Sequence, residues 1–168
     1  MPANRIETAT AEDGVPYNAF VQQGLLTLSG ENYVDYNDVY NWFKELVEEY
    51  EILPLCVGYD RYSAQYLVGQ MQSYGFKMDD VFQGTNLTPV IMEADGLIKD
   101  GKINIGNNNL LKAHLLNAAL KCDNTTQKVK LIKVGKRTRI DGTAALLDAL
   151  CVRQKWYGEI GEQLRNEG

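Results

Sequence analysis

The sequence predicts an α/β fold with a largely parallel sheet, because short apolar segments alternate with longer segments of helical periodicity. Residues 52–60 (ILPLCVGYD) are apolar on both alternating faces, as expected for a buried parallel strand. Residues 77–84 (KMDDVFQG) are a second candidate strand. A chain of 168 residues with this pattern suits one domain with a hydrophobic core.

Local signals mark where the helices begin and end. Asp35 precedes a helical pattern and belongs to the residue types preferred as N-caps. A second helix is expected to begin at Ser63 and to end at Gly75, where a left-handed C-cap suits glycine. Pro89 follows Thr88 at the start of a third helix, where proline loses no hydrogen bond.

The later part of the chain continues the alternation. Residues 110–121 have helical periodicity, residues 128–139 form a basic segment with strand character, and Asp141 opens a final helix. Residues 1–16 show no periodicity. We therefore expect three parts, which are an irregular segment at residues 1–16, a folded domain at 17–158 and a C-terminal tail at 159–168.

Composition excludes several classes of protein. No apolar run approaches the roughly 20 residues that a membrane helix needs, and the N-terminus lacks the apolar stretch of a secretory signal. We therefore expect a soluble, cytoplasmic protein without membrane partners. Three cysteines without a Cys-x-x-Cys motif argue against a disulfide framework and a structural zinc site. The single histidine, His114, lies in a helical pattern, which favours packing or exposure over a catalytic triad.

The charge is unevenly distributed. The formal net charge is -5, yet residues 128–139 (KVKLIKVGKRTR) hold six basic residues and no acidic one. Lysine is common on edge strands, where it prevents unwanted strand pairing. The same residues also suit contact with nucleic-acid phosphates. Both interpretations remain open from the sequence.

Two aspartates stand where chemistry is expected. Asp60 lies at the carboxyl end of the first strand, the edge at which open α/β sheets bind ligands; the alternative is a helix cap or an ion pair with Arg61, which is common at such turns. Asp141 opens the final helix and is followed by Gly142, which permits close approach; the alternative is a plain N-cap. Asp148 shares a helix face with Asp141 at a distance of roughly 10 Å. One compact site therefore favours Asp141 over Asp148.

Carboxylates without histidine or cysteine suit oxygen-seeking ions such as Mg²⁺ or Mn²⁺. Two such ions hydrolyse phosphodiesters by activating water and stabilising the leaving oxygen. A neighbouring run of Lys and Arg would hold the phosphates without reading the sequence of bases. The residues alone therefore support a nuclease hypothesis.

Four segments follow one another along the chain: DGVPYNAFVQQGLLTLSGENYVDYNDV, VGYDRYSAQYLVGQMQSYG, GKINIGNNNLLKAHLLNAALKCDN and RTRIDGTAALLDAL. In this order they resemble the nuclease domain of tailed-phage terminase large subunits. The Tyr-Asp strand end and the Ile-Asp-Gly helix are the most specific of these motifs. The resemblance implies a ribonuclease H-like fold, in which helices flank a mixed sheet.

The resemblance also implies a two-metal endonuclease that cuts concatemeric viral DNA during genome packaging. Asp60 would be the second acidic ligand of Mg²⁺ or Mn²⁺ and Asp141 the last. Contacts with double-stranded DNA are expected from the basic residues Lys133, Lys136, Arg137 and Arg139. The implied partners are the ATPase domain of the same terminase, the small terminase subunit and the portal, in the cytoplasm of a bacterial host.

The chain departs from the family pattern at its N-terminus. The first catalytic aspartate of the family lies on a strand before the DGVPY segment, and residues 1–13 have no strand pattern. We therefore expect that the first strands are missing, that residues 17–158 form a partial nuclease domain, and that this chain alone cuts DNA poorly. A sheet edge left open invites pairing with a second copy. Asp148 stands where the family pattern suggests a small or apolar residue.

Two other hypotheses remain open from the sequence. The first is a non-catalytic interaction or DNA-binding remnant of a split terminase. The second is a flavodoxin-like domain that binds a small molecule, with Asp60, the Asp79–Asp80 pair and Lys133 around its site.

Overall fold

The structure is a computed structural model that describes residues 1–60 and 65–166. Its described part contains seven α-helices and four β-strands. In chain order they are α1 (Ile6–Asp13), α2 (Tyr17–Gln22), α3 (Tyr36–Glu48), β1 (Val57–Asp60), α4 (Gln65–Tyr74), β2 (Met78–Val81), α5 (Thr88–Lys99), α6 (Asn109–Leu116), β3 (Ala118–Cys122), β4 (Val129–Lys133) and α7 (Asp141–Asn166).

The predicted mixed α/β class is confirmed. Strands β1 and β2 pair in parallel, with Asp60 opposite Val81, and β3 and β4 pair as an antiparallel hairpin. Within the described residues the four strands form two separate two-stranded sheets. The first residue of α5 adjoins the hairpin, since the Thr88 hydroxyl donates to the Val129 carbonyl at 3.1 Å and accepts from the Val129 N–H at 3.0 Å.

Helix α7 packs across β1 and β2 and runs antiparallel to them. Its later residues, including Trp156, line a cavity with Cys56 just before β1, whereas Asp148 lies near Asp60 at the strand end. The packing is closest at Gly58, where a Cβ would lie 2.7 Å from the carbonyl oxygen of Asp148. The N-terminus of α7 therefore extends beyond the carboxyl edge of the parallel pair.

Two hydrophobic clusters hold the domain together. The larger joins β2, α5 and α7, and its buried residues are Val81, Leu87, Val90, Ile91, Ala94, Leu147, Leu150 and Val152. The smaller joins α1 to α2 through Ile6, Ala9, Tyr17 and Phe20. No helix of the described chain is both long and apolar enough to cross a membrane.

The segment 1–16, expected to be irregular, contains α1. An eight-residue helix is marginal in water by itself, and this one shows too few apolar residues for a periodic signal. Burial of Ile6 and Ala9 against Tyr17 and Phe20 stabilises it. At the other end, α7 continues to Asn166 and passes through the expected boundary at residue 158.

The helix expected at residues 110–121 was also partly wrong, because α6 ends at Leu116 and β3 follows at once. Pairing of Ala118–Cys122 with β4 overrides the helical propensity of this segment. Asp123 favours the hairpin, because its carboxylate accepts the N–H groups of Thr125 and Thr126.

The other helix signals are confirmed. The Asp35 carboxylate accepts the N–H of Asn37 at 2.9 Å as an N-cap, and Pro89 stands in the first turn of α5. Gly75 follows α4 with φ of 118°, and α7 begins at Asp141. The expected helix start at Ser63 lies outside the described residues. In residues 1–60 no strand precedes β1.

Candidate acidic site at the sheet edge

Three polar side chains meet at the carboxyl edge of the parallel strands. Asp60 is the last residue of β1 and is paired with Val81, the last residue of β2. Gln83 follows β2 and donates through its amide to Oδ1 of Asp148 on α7. Asp148 reaches the same edge as Asp60, since the two side chains are close enough for their charges to interact.

Asp148 is a buried carboxyl group, with 8% of the residue exposed. Burial raises its pKa, and the negative charge of Asp60 raises it further, to about 6, although the Gln83 hydrogen bond opposes both effects. Asp148 therefore keeps its proton to a higher pH than an isolated carboxyl group would.

The sequence reasoning gave Asp148 no role in the site. Its distance along the helix from Asp141 spoke against one compact site, and the structure keeps the two residues on different turns of α7. What brings Asp148 to the site is its closeness to Asp60, which depends on how α7 packs on β1. A signal was present, since an aspartate between buried Leu147 and Leu150 needs a polar partner.

Asp141 lies at the exposed N-terminus of α7, beyond the Asp60–Asp148 pair. It is the first helical residue rather than the N-cap, because the carbonyl of Ile140 accepts the N–H of Ala144 at 2.9 Å. Among the described residues the Asp141 carboxylate has no hydrogen-bond partner. Burial lowers the pKa of His114, and the nearby negative charge of Asp141 opposes that shift.

The predicted DNA-binding residues fall into two groups. Lys133, at the end of β4, and Lys136 and Arg137, in the following loop, are exposed and form no ion pair with other described residues. The Nε of Arg139 instead donates to the buried carboxylate of Asp13 at 2.6 Å. This geometry favours a structural role for Arg139, whose contact with DNA stays a prediction.

Asp79, part of the flavodoxin-like alternative, is already engaged. Its carboxylate accepts hydrogen bonds from Nζ of Lys155 at 2.8 Å and from Nε1 of Trp156 at 2.7 Å. Only 13% of the Asp79 side chain is exposed. Asp79 therefore anchors the later part of α7 to β2, which leaves that alternative without its acidic pair.

The donor chemistry of the edge suits a hard cation. Asp60 and Asp148 offer carboxylate oxygens, and Mg²⁺ is commonly bound by one or two carboxylates together with water. Among the described residues, however, no group of three or more His, Cys, Asp or Glu is arranged to hold a metal ion. The described edge therefore offers the carboxylates of Asp60 and Asp148 as the kind of oxygen ligand that a divalent ion would accept.

Fold and site together define an α/β domain whose acidic residues meet where open α/β sheets bind ligands. Residues 1–155 match the family of the terminase large subunit, endonuclease domain, and the chain belongs to this family. Its membership confirms the resemblance seen in the Tyr-Asp and Ile-Asp-Gly motifs.

One sequence match and one structural match are to the large terminase of Enterobacteria phage HK97. The chain is 24% identical over 165 residues to its terminase large subunit, a match that covers 96% of this chain and 32% of the relative. The crystal structure of the HK97 bacteriophage large terminase matches with a TM-score of 0.78 and 24% identity, over 89% of this chain and 31% of that chain. The structural likeness establishes the fold, and the chain spans about a third of the length of these relatives.

Proposed function

We propose that this chain is a metal-dependent DNA endonuclease domain of a phage or prophage terminase large subunit, cutting concatemeric viral DNA during genome packaging. The observation that supports it best is the meeting of Asp60, Asp148 and Gln83 at the carboxyl edge of β1 and β2. The family of the chain makes DNA the expected substrate at such an edge.

In this proposal Asp60 and Asp141 are ligands of Mg²⁺ or Mn²⁺. A divalent ion held there would polarise the phosphodiester and lower the pKa of a bound water. Asp60 presents its carboxylate from the rigid end of β1, and Asp141 from the first turn of α7. Asp148 lies near Asp60, and the Gln83 amide donates a hydrogen bond to its buried carboxyl group.

The exposed residues Lys133, Lys136 and Arg137 are proposed to bind the DNA backbone. Their charges stand on one chain segment that leads from β4 into α7, hence toward Asp141. Contacts to phosphates supply affinity that does not depend on base sequence. This segment would lay the duplex against the acidic edge.

Activity of this chain alone is expected to be low. The described residues provide too few clustered acids for two ions, and a site with fewer charged ligands binds cations more weakly. The same observation favours the second candidate function, in which the domain is a non-catalytic interaction or DNA-binding remnant of a split terminase.

Partners follow from the family rather than from the described surface. The ATPase domain of the same terminase, the small terminase subunit and the portal are proposed on this basis. A homodimer is proposed from the structure, because β1 pairs only with β2 among the described strands and leaves its other edge open.

Cleavage of supercoiled plasmid with Mn²⁺ or Mg²⁺ tests the proposal. Wild-type protein is compared with Asp60→Ala and Asp141→Ala, and with Asp100→Ala, which changes an exposed carboxylate at the end of α5. Cutting by wild type and Asp100→Ala, with loss in the other two variants, supports the nuclease. DNA binding without any cutting at either metal supports the remnant instead.

A further inference from the structure

Helix α6 contacts the backbone on both sides of Asp141. Nδ1 of His114 accepts the N–H of Gly142 at 2.9 Å, and the Nδ2 amide of Asn117 donates to the carbonyl of Arg139 at 3.2 Å. His114 and Asn117 are three residues apart and share one face of the helical end. Together they hold Gly142, the residue after Asp141, and Arg139, two residues before it.

The His114 bond replaces a missing helix cap. The first N–H groups of a helix need partners from outside its own hydrogen-bond ladder, and an N-cap side chain usually supplies one. Ile140, the N-cap residue of α7, has no side-chain acceptor. His114 supplies it from α6, so that Asp141 is not required to cap its own helix and its carboxylate stays available.

Gly142 is required by the same contact. A Cβ at this position would lie 2.8 Å from Nδ1 of His114 and 3.0 Å from Cδ1 of Leu111. The glycine of the Ile-Asp-Gly motif therefore makes room for side chains of α6. Because the imidazole accepts through Nδ1, its proton is assigned to Nε2, which is buried without a partner among the described residues.

We propose that His114 and Asn117 are positioning residues, which fix the backbone around Asp141 and so hold its carboxylate toward a divalent cation at the acidic edge. This inference rests on the proposed function, in that Asp141 is taken as a metal ligand. The proposed metal ligands include no residue of α6, so the inference gives this helix a role that the proposed function does not.

The test separates the hydrogen bond from its consequence for metal binding. Hydrogen exchange of the Gly142 amide is followed by NMR, and Mn²⁺ affinity by electron paramagnetic resonance, in wild type, His114→Leu and His114→Gln. Leucine removes the acceptor, whereas the glutamine amide oxygen can replace it. Val90→Ala, a cavity in the main core away from α6, controls for lost stability.

We expect His114→Leu to accelerate Gly142 exchange by about fivefold or more, since a lost hydrogen bond of this kind is worth roughly 1 kcal/mol. Its Mn²⁺ affinity should fall about tenfold, as is typical when a group supporting a ligand is removed. His114→Gln should partly restore the slow Gly142 exchange and the Mn²⁺ affinity. Val90→Ala should leave the Gly142 exchange and the Mn²⁺ affinity unchanged. If His114→Leu does not fold, Asn117→Ala, which deletes only the bond to Arg139, replaces it.

Three results would overturn the inference. Unchanged exchange at Gly142 in His114→Leu means that the bond does not hold the helix start. A second result is that His114→Leu speeds Gly142 exchange without changing Mn²⁺ affinity, whereas Asp141→Asn weakens that affinity. This result refutes the positioning role and leaves the proposed function standing. Unchanged affinity in Asp141→Asn removes Asp141 as a ligand, and the proposed ligand set and the inference then fail together.

Discussion

The carboxyl group of Asp148 on α7 lies buried beside Asp60 at the end of β1, and its pKa is raised to about 6 by burial and by the charge of Asp60. The pair joins two elements that are distant in the chain. Below a pH of about 6, the proton that Asp148 retains removes most of the penalty for a buried charge on this otherwise apolar helix face.

This raised pKa predicts that stability in metal-free buffer decreases as pH rises from 4 to 7. The folded-state pKa of about 6 exceeds the ordinary value of 3.8, so the folded protein binds the proton more tightly than the unfolded chain. The stabilisation by protonated Asp148 is complete below the ordinary pKa of 3.8. It is lost as pH rises through the folded-state pKa of about 6. The loss is at most about 2–3 kcal/mol, since one pKa unit corresponds to about 1.4 kcal/mol.

Urea unfolding at each pH, in the presence of EDTA, measures this dependence as the difference between wild type and Asp148→Asn. The asparagine cannot ionise, so subtraction removes contributions from other titrating groups. Asp100→Asn, at an exposed position, should follow the wild type. A wild-type minus Asp148→Asn difference that stays level between pH 4 and 7 would show that Asp148 is not held in its protonated form.

Gly58→Ala should destabilise the domain by about 1–3 kcal/mol through overpacking. The new Cβ would lie 2.7 Å from the backbone oxygen of Asp148 and 3.1 Å from Cγ1 of Val152, and the backbone of α7 cannot yield like a flexible side chain. Gly69→Ala, in the middle of α4 with no atom within 4 Å of the new Cβ, should instead stabilise by about 0.5–1 kcal/mol. Equal effects in urea unfolding would contradict the close packing of α7 on β1.

Asp13→Asn should destabilise the domain at pH 7, by about 1–2 kcal/mol because Arg139 is partly exposed. Although burial opposes it, hydrogen bonds from Arg139 and Tyr17 lower the pKa of Asp13. Its stabilisation is therefore present above the ordinary pKa of 3.8 and is lost as pH falls through the lower folded value. The variant and wild type should converge in acid.

The control for Asp13→Asn is Glu12→Gln, which removes a surface pair with Arg5 whose side chains are about half exposed. Such pairs contribute roughly 0–1 kcal/mol, so little change is expected. Thermal unfolding at pH 7 and in acid compares the two variants. If Glu12→Gln were as destabilising as Asp13→Asn, the Arg139 ion pair would have no special part in joining α1 to the start of α7.

Lys136→Ala and Arg137→Ala should weaken binding to duplex DNA to a similar extent for any base sequence. Each lost phosphate contact should reduce the slope of log affinity against log salt by about one. Lys99→Ala is the matched control, because Lys99 is exposed on α5 and pairs with Asp95. Fluorescence anisotropy with Ca²⁺ in place of Mg²⁺ measures binding. An unchanged salt slope in both loop variants would place the DNA elsewhere.

Local chemistry let the sequence predict where several elements begin. Asp35 caps α3, Pro89 stands in the first turn of α5, and Asp141 opens α7. These signals work because a helix start depends on a few neighbouring backbone groups. The mixed α/β class and the place of Asp60 at a strand end followed from the same local patterns.

Contacts between separate elements decided the rest. Strand β3 exists because β4 pairs with it, and α1 because α2 covers Ile6 and Ala9. In both cases the partner is the next element along the chain, but the periodicity of either segment alone does not reveal the contact.

The sequence by itself thus determined the class of fold and where several elements begin. Only the tertiary structure decided that Asp148 joins Asp60, that Arg139 pairs with Asp13 and that His114 caps the helix of Asp141. The physical reason is that a side chain's partner depends on how whole elements pack, as at Gly58, where the backbone of Asp148 on α7 approaches β1 closely.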